Sequence, residues 1–527
     1  MAIKPKALQI GNTTFRRPWR IPEGLRALRE FNKKYNFKDN RKSKEYEVAL
    51  IKSISKTGIL ESEGKDESWD GGHGRKFLNF CQKFGFITPR PGNVRGKGIY
   101  DLNKNGEDNF IIEFLNNSDL EIERNPFSLT PLGNLLADTE SKEYEITSEQ
   151  QDIFLKSLYY QLQPSVLHSL GNKYNGEIIR PLQLFLKIFF KLEELKMEPT
   201  LSNGEIALVI NPSWTNNINK IISDLKIFRE QKKGKERKFS REWFQSKGGN
   251  KTFKIAFDTI WTYADPNMSY LVSTGLIHKI GRKIILNNNK IKISKKISEE
   301  ANFNFKNDYE YLSKFWSGGL LPFENEEYLI NQANTNNKLL KSKFNYTDTI
   351  VPDEKNIKTI IYKTEDKIKE FEEIEFFKSQ KNSINEIIKT LEDIDSGTIS
   401  YNGIEFEPEP EHLEWIVWRA FLSINSFINE IKNTRGFPVD NSFLPTHHAK
   451  AGREDLFFEF KKFKLLVEVT FKVGSAQHKD EYEPVYRHTI KRMEEDSQKP
   501  IYCLFIAPKI SNNLAKDFKS YIYNKKD

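Results

Sequence analysis

Two short runs near the C-terminus carry the residues best suited to chemistry. Asp455-Leu456-Phe457-Phe458-Glu459-Phe460 and Leu465-Leu466-Val467-Glu468-Val469-Thr470-Phe471 read as strands, being rich in branched and aromatic side chains. A two-residue turn at Lys461-Lys462, although not a favoured turn pair, would set Asp455 opposite Glu468 with Cβ atoms roughly 5 Å apart. Two carboxylates that close raise each other's pKa, and a hard divalent cation reverses that cost. Spacing alone is weak, since 73 acids in 527 residues make about one position in seven acidic. Glu468 carries more weight because it interrupts the most apolar run, where a carboxylate must be paired, protonated or metal-bound. Alternation puts Glu468 and Thr470 on one face and Val469 on the other. The plain alternative is a strand-edge glutamate paired with a lysine.

Basic residues form a second kind of candidate. Arg16-Arg17-Pro18-Trp19-Arg20 sets three guanidiniums around an indole, and arginine can clamp phosphate or read guanine. The densest basic run is Arg229–Arg241, with Lys232, Lys233, Lys235 and Arg237, which suits a loop that tracks phosphates without specifying sequence. Such runs are more often plain solvated faces.

The elements that must carry these residues differ along the chain. Ser43–Thr57 has helical spacing, Gly71-Gly72-His73-Gly74 breaks it, and Phe77–Phe84 resumes it before a strand start at Gly85–Thr88. In Phe127–Ala137 a strand precedes a helix capped by Thr130 with Pro131 at its first position, as in winged-helix domains. Ser202–Glu205 has capping-box spacing, and Asp258–Ser273 is a helix interrupted at Asp265-Pro266. Thr274–Asn287 then reads as helix stop, strand, glycine turn and strand, a basic hairpin whose Lys279 and Arg282 would form a wing. Glu324–Leu391 reads as paired, partly solvated helices that act as a spacer, with Glu365 and Lys369 as a supporting pair. Glu411–Glu430 is an amphipathic helix with Glu414 and Trp418 one turn apart, ended by a turn at Arg435-Gly436.

Composition sets the outer bounds. A chain of 527 residues with 38% hydrophobic and 29% charged residues folds as several domains. The net charge of +9 favours a polyanionic partner without deciding one. Two distant cysteines exclude a disulfide framework or zinc ribbon and suit a reducing cytoplasm. The start has no apolar signal region and no apolar run is long enough to span a membrane, so no membrane role is expected.

Several motifs surround the acidic hairpin: Asp-x12-Glu-Val-Thr itself, Pro445-Thr446-His447, Gly474-x-x-Gln477, Glu483-Pro484-Val485-x-Arg487-His488 and Tyr502–Pro508. With the preceding helix bearing Glu414, they resemble the PD-(D/E)XK nuclease core. More closely, about a hundred residues from Leu413 resemble the cleavage domain of type IIS restriction endonucleases of the AlwI group, which includes nicking relatives. Gly11-Asn12-Thr13-Thr14 with Arg20-Ile21 is similar to that group's opening, more loosely. The resemblance implies a multidomain chain: winged-helix-like, mainly α modules over 1–150 and 151–300, a helical linker over 301–400 and an α/β PD-(D/E)XK core over 401–527. It implies Mg²⁺ on Asp455, Glu468 and the Val469 carbonyl, with Glu481, His488 and Glu414 completing the site.

The resemblance further implies cleavage of double-stranded DNA a few base pairs to one side of a short asymmetric site, with a second protomer or nuclease subunit for the other strand. Thr470 stands where the wider superfamily usually has lysine, a feature the AlwI group shares, which leaves Lys472, Glu481 and His488 as candidates to activate water. Relatives continue beyond the last core strand whereas this chain stops at Asp527, so a flanking strand and helices are expected to be missing, with dimerisation and activity at stake. One rival reading is a winged-helix DNA-binding regulator with an inactive nuclease fold. Another is a structure-selective repair nuclease.

Overall fold

The structure, a computed structural model, describes residues 8–11, 15–34, 43–55, 72–88, 114, 118–122, 127–140, 145–163, 165, 167, 178–211, 215–233, 235–247, 256–301, 303, 305–347, 356–401, 404–440, 442–449, 452–495 and 499–524. It divides into two compact units. The first takes Met1–His278, Ile284–Thr335 and Ile350–Lys363, and the second Lys279–Lys283, Asn336–Thr349 and Thr364–Asp527.

The first unit is mainly helical. Its described helices are α1 (Ile21–Lys34), α2 (Ser43–Ser55), α3 (Gly72–Lys83), α4 (Pro131–Asp138), α5 (Ser148–Tyr160), α6 (Pro181–Glu194), α7 (Asn203–Ile210), α8 (Ile218–Gln231), α9 (Glu236–Ser246), α10 (Phe257–Val272), α11 (Ile291–Glu299) and α12 (Asp308–Ser317). A three-stranded sheet, β1 (Thr200–Ser202), β2 (Ile277–Ile280) and β3 (Lys283–Leu286), has the order β1-β3-β2, with the Lys279–Lys283 tip of its β2–β3 hairpin assigned to the second unit. One apolar core runs from Leu8 to Phe323, with Phe84 and Tyr270 rings 4.8 Å apart near its middle.

Local signals set the helix starts. Thr130 Oγ1 accepts the Gly133 N–H at 3.0 Å with Pro131 in the first turn. Ser202 and Glu205 form a reciprocal capping box. Three expectations are corrected. The helix expected to resume at Phe77 starts earlier, at Gly72, so the glycines at 72 and 74 lie in the first turn of α3. The strands foreseen around Ile87 and Leu129 reduce to one isolated antiparallel bridge. Pro266 lies inside α10 without interrupting it, and the adjacent buried Asn267 is tied from outside the helix, its Oδ1 accepting the Ile10 and Gly11 N–H groups at 2.8 and 2.9 Å.

The second unit holds the C-terminal chemistry. Helices α13 (Glu326–Phe344) and α14 (Ile357–Gln380) each fall partly in both units, and α15 (Ile384–Ser396) follows. Strands β4 (Ile399–Tyr401) and β5 (Ile404–Phe406) pair antiparallel, leading to α16 (Pro410–Ile424). Then come β6 (Leu456–Glu459), β7 (Lys464–Val469), α17 (Gly474–Glu495), β8 (Ile501–Ile506) and α18 (Asn512–Asn524). The sheet order is β6-β7-β8, with β6 antiparallel and β8 parallel to β7. Helix α16 stops at Ile424, short of the expected Glu430, because Asn425 adopts a left-handed φ of 51° and ends it. No helix among the described residues is long and apolar enough to cross a membrane.

The linker helices do more than space. Buried Arg435 pairs with Glu373 of α14, and its guanidinium lies 5.1 Å from the Trp418 ring centroid. Buried Arg419 reaches Gln380 at 2.7 Å and Glu386 at 2.9 Å, and the Phe376 ring stacks on Trp418 at 5.8 Å. Together they fasten α14 and α15 to α16.

Candidate functional site

The β6–β7 hairpin has the expected register. Leu456 faces Val467 and Phe457 faces Leu466, and Phe460 N–H donates to Phe463 O at 2.8 Å across Lys461-Lys462. Asp455 stands just before β6 and is held from two sides. Its carboxylate Oδ2 accepts the Val469 N–H at 2.7 Å, and its carbonyl accepts the Gly436 N–H at 2.7 Å. A Cβ on Gly436 would lie 2.3 Å from Glu454 O, so glycine alone allows this approach.

The remaining acids and the histidine arrive on helices. Helix α17 brings His488 Nδ1 to 2.7 Å from Glu468 Oε1, with both side chains buried. Glu481, two turns earlier, has its Oε1 at 3.0 Å from Thr470 Oγ1 and 3.1 Å from Lys472 Nζ. Helix α16 buries Glu414, whose Oε2 accepts the Ala449 N–H at 3.0 Å.

Electrostatics ties these groups into one neighbourhood. Burial, then the Glu454 and Glu481 carboxylates, push Glu468 up to about 8. Burial and the Glu468 charge raise Asp455 well above the usual carboxylate range, and burial and Asp455 do the same to Glu414. His488 is lowered by burial and by the Arg487 guanidinium. An arrangement of acids that resist joint ionisation in a low-dielectric setting is one that a cation would relieve. Residue reasoning missed Glu454, which is buried and paired with Arg492. The adjacent acids at 454 and 455 were the available signal. It also missed the reach of Gln477, whose Nε2 donates to Lys472 O at 2.8 Å and Lys509 O at 3.1 Å.

The basic candidates have varied settings. Arg16 lies 3.7 Å from Asp265, Arg17 sits 6.0 Å from the Trp19 ring centroid, and Arg20 closes a short 3-10 turn with Pro18 and Trp19. Lys233 and Lys235 are exposed, as is Lys232 at 3.8 Å from Glu236. Arg237 and Arg241 share Asp258, whereas Arg229 is committed to Glu205 and the Glu198 and Thr200 carbonyls. In the second unit Lys279 Nζ donates to Thr446 O at 3.4 Å, and Arg282 pairs with Glu409. Burial opposes it, yet Lys279 and Arg282 hold Glu409 down to about 2. Asn12, Thr13 and Thr14 lie outside the described residues.

The family model of the AlwI restriction endonuclease matches residues 85–527. The chain belongs to the AlwI restriction endonuclease family. Among solved structures it is similar to the small subunit of the heterodimeric restriction endonuclease R.BspD6I, at 25% identity over 25% of this chain and 64% of that one, with a TM-score of 0.21. The match thus spans under two thirds of that subunit. No curated protein matches the chain.

Restriction endonucleases generally use a divalent metal, and the donor set can be tested for it. Among the described residues no three His, Cys, Asp or Glu side chains form a cage. Mg²⁺ does not need one, since it is commonly held by one or two carboxylates with waters and substrate phosphate. Asp455 and Glu468 supply hard oxygen donors on neighbouring strand ends, and Val469 adjoins them with its carbonyl. Buried His488 Nε2 has no hydrogen-bond partner among the described residues. The residues fit a hard cation beside an anionic substrate.

Proposed function

We propose that this chain is a cytoplasmic type IIS restriction endonuclease or nickase, cutting DNA a few base pairs to one side of a short asymmetric site with Mg²⁺. The observation that carries the reading is the gathering of Asp455, Glu468, Glu414, Glu481 and His488 around the ends of β6 and β7, in a restriction-endonuclease family member. Asp455, Glu468 and the Val469 carbonyl would hold the ion. When bound, Mg²⁺ supplies charge to polarise the scissile phosphate and acidify water.

The chain's own groups then have separate tasks. Val469 N–H fixes the Asp455 carboxylate, and Ala449 N–H fixes Glu414 behind it. His488, tied to Glu468 through Nδ1, turns Nε2 to a phosphate oxygen. Glu481 orients the attacking water. Hydrolysis adds one water, forming a bond from its oxygen to phosphorus and breaking the bond to a deoxyribose oxygen. One water proton passes to solvent, and the departing oxygen takes one from solvent.

The first unit, together with the tip of the β2–β3 hairpin, would read the site. The β1-β3-β2 sheet with α7, α8 and the β2–β3 hairpin supports a winged-helix reading for residues 151–300, and Thr130-Pro131 supports a similar module before it. Arg16, Arg17, Arg20, Lys232, Lys233, Lys235, Arg237, Lys279 and Arg282 are proposed phosphate or base contacts. The last two would exchange their present protein partners for DNA. One active site cuts one strand, so double-strand cleavage calls for a second protomer or nuclease subunit.

The test is digestion of supercoiled plasmid by the purified chain with Mg²⁺, followed by run-off sequencing. Cuts at a fixed offset from one short sequence are expected. Asp455→Ala and Glu468→Ala should each abolish cutting while sparing DNA binding, and retained cutting in both would sink the assignment. Specific binding without any nick would favour a DNA-binding regulator instead.

A further inference from the structure

The loop leaving β7 puts three side chains on one oxygen-centred junction. Thr470, whose side chain is buried, donates from Oγ1 to Glu481 Oε1 at 3.0 Å and accepts the Lys472 N–H on the same oxygen at 3.1 Å. Lys472 Nζ approaches the same Glu481 Oε1 at 3.1 Å, with Asp480 at 3.4 Å as a second acid. A single carboxylate oxygen therefore receives a hydroxyl and an ammonium from residues two positions apart.

An exposed lysine–carboxylate pair contributes little by itself, because water screens it and two long side chains lose freedom. Lys472 is half exposed, so that bland outcome is the one to beat. The backbone beneath it is what differs. Its N–H is taken by Thr470, and its carbonyl accepts from Gln477 Nε2 at 2.8 Å. Gln477 is fully buried and also joins Lys509 O and the Ser511 N–H, the latter at 2.7 Å, so the loop is pinned to the chain that follows β8. The ammonium is thus projected from a fixed platform toward a half-buried carboxylate.

We infer that Thr470 and Lys472 act together to place a positive charge on Glu481, which makes Lys472 a positioning residue for phosphodiester hydrolysis. Threonine at position 470 is then not a defect of the site. Its hydroxyl is the hinge that sets the Lys472 backbone and fixes one Glu481 oxygen, leaving the carboxylate in a single orientation toward the attacking water. A lysine at 470 would lose that hydroxyl and the hold on the Lys472 N–H. The inference rests on the nuclease reading above, and its test separates the two.

The experiment measures single-turnover cleavage by the full chain at saturating protein, with DNA affinity in Ca²⁺ and the thermal midpoint as controls. Lys472→Met should slow cleavage at least about tenfold, the value of one charge-assisted contact, with affinity and midpoint unchanged. Lys472→Arg, which keeps the charge, should recover most of the rate, and Thr470→Val should behave like Lys472→Met. The double variant Lys472→Met with Glu481→Gln should be no slower than Glu481→Gln alone, as expected for residues acting through one another. A Lys472→Met protein cutting at the wild-type rate, an arginine variant as slow as methionine, or costs that multiply would each overturn the inference while leaving the nuclease reading standing. A wild-type chain that cuts no DNA overturns both.

Discussion

At the scale of single residues, the site is defined by carboxylates that resist ionisation until something neutralises them. Glu468 is raised to about 8 by burial and by Glu454 and Glu481. A carboxyl with a raised folded-state pKa makes the folded form bind more protons than the unfolded form between its ordinary value and about 8. Stability should therefore fall as pH rises through that window and level off above it. In EDTA the thermal midpoint is expected to drop by several degrees between pH 5 and 8, and Glu468→Gln should flatten the slope. Calorimetry across pH checks this, and a slope unchanged in the glutamine variant would remove Glu468 as its source. Gly436 offers a second test. Because a Cβ there meets Glu454 O at 2.3 Å, Gly436→Ala must shift the backbone that carries Asp455. Cleavage should fall at least about tenfold while DNA affinity holds. Equal losses in both would mean the shift is not local.

At the scale of elements, α16 owes its position to the linker helices. Arg435 is almost fully buried between Glu373 and the Trp418 ring, and Arg419 joins Gln380 and Glu386. Removing one partner of a buried pair leaves an uncompensated charge, which typically costs about 3–5 kcal/mol. Arg435→Ala is thus expected to destabilise the second unit by about 3 kcal/mol. The double change Arg435→Met with Glu373→Leu should recover most of that, since an apolar pair of similar volume removes the stranded charge. Denaturant titration reads both. If the single variant unfolds as the wild type does, the linker is a spacer after all.

At the scale of the whole molecule, the proposed reading and cleavage roles predict separable effects. Lys232, Lys233 and Lys235 stand exposed in the first unit, far in sequence from the acidic cluster. If they track phosphates, replacing all three by alanine should weaken DNA binding for every sequence and reduce the salt slope by roughly 0.9 per lost contact. The single-turnover rate at saturating protein should stay unchanged. Binding measured from low to moderate salt provides the readout, and an unaltered slope would return this run to an ordinary solvated face.

The amino-acid sequence by itself determined the local decisions. The hairpin register around Lys461-Lys462, the caps at Thr130 and Ser202, and the glycine turn at Gly281 all rest on neighbours a few positions apart. The acidic pair was legible for the same reason, since alternation along two joined strands fixes which residues face each other. Tertiary structure decided what came from farther away. Nothing within the α17 run itself shows that it returns His488 to Glu468 and Glu481 to Thr470. The same holds for Gly436 beneath Asp455, the Glu373–Arg435 pair, and the tie between Asn267 of α10 and Ile10. Long-range contacts depend on how elements pack, and a pattern confined to one element carries no information about its partner.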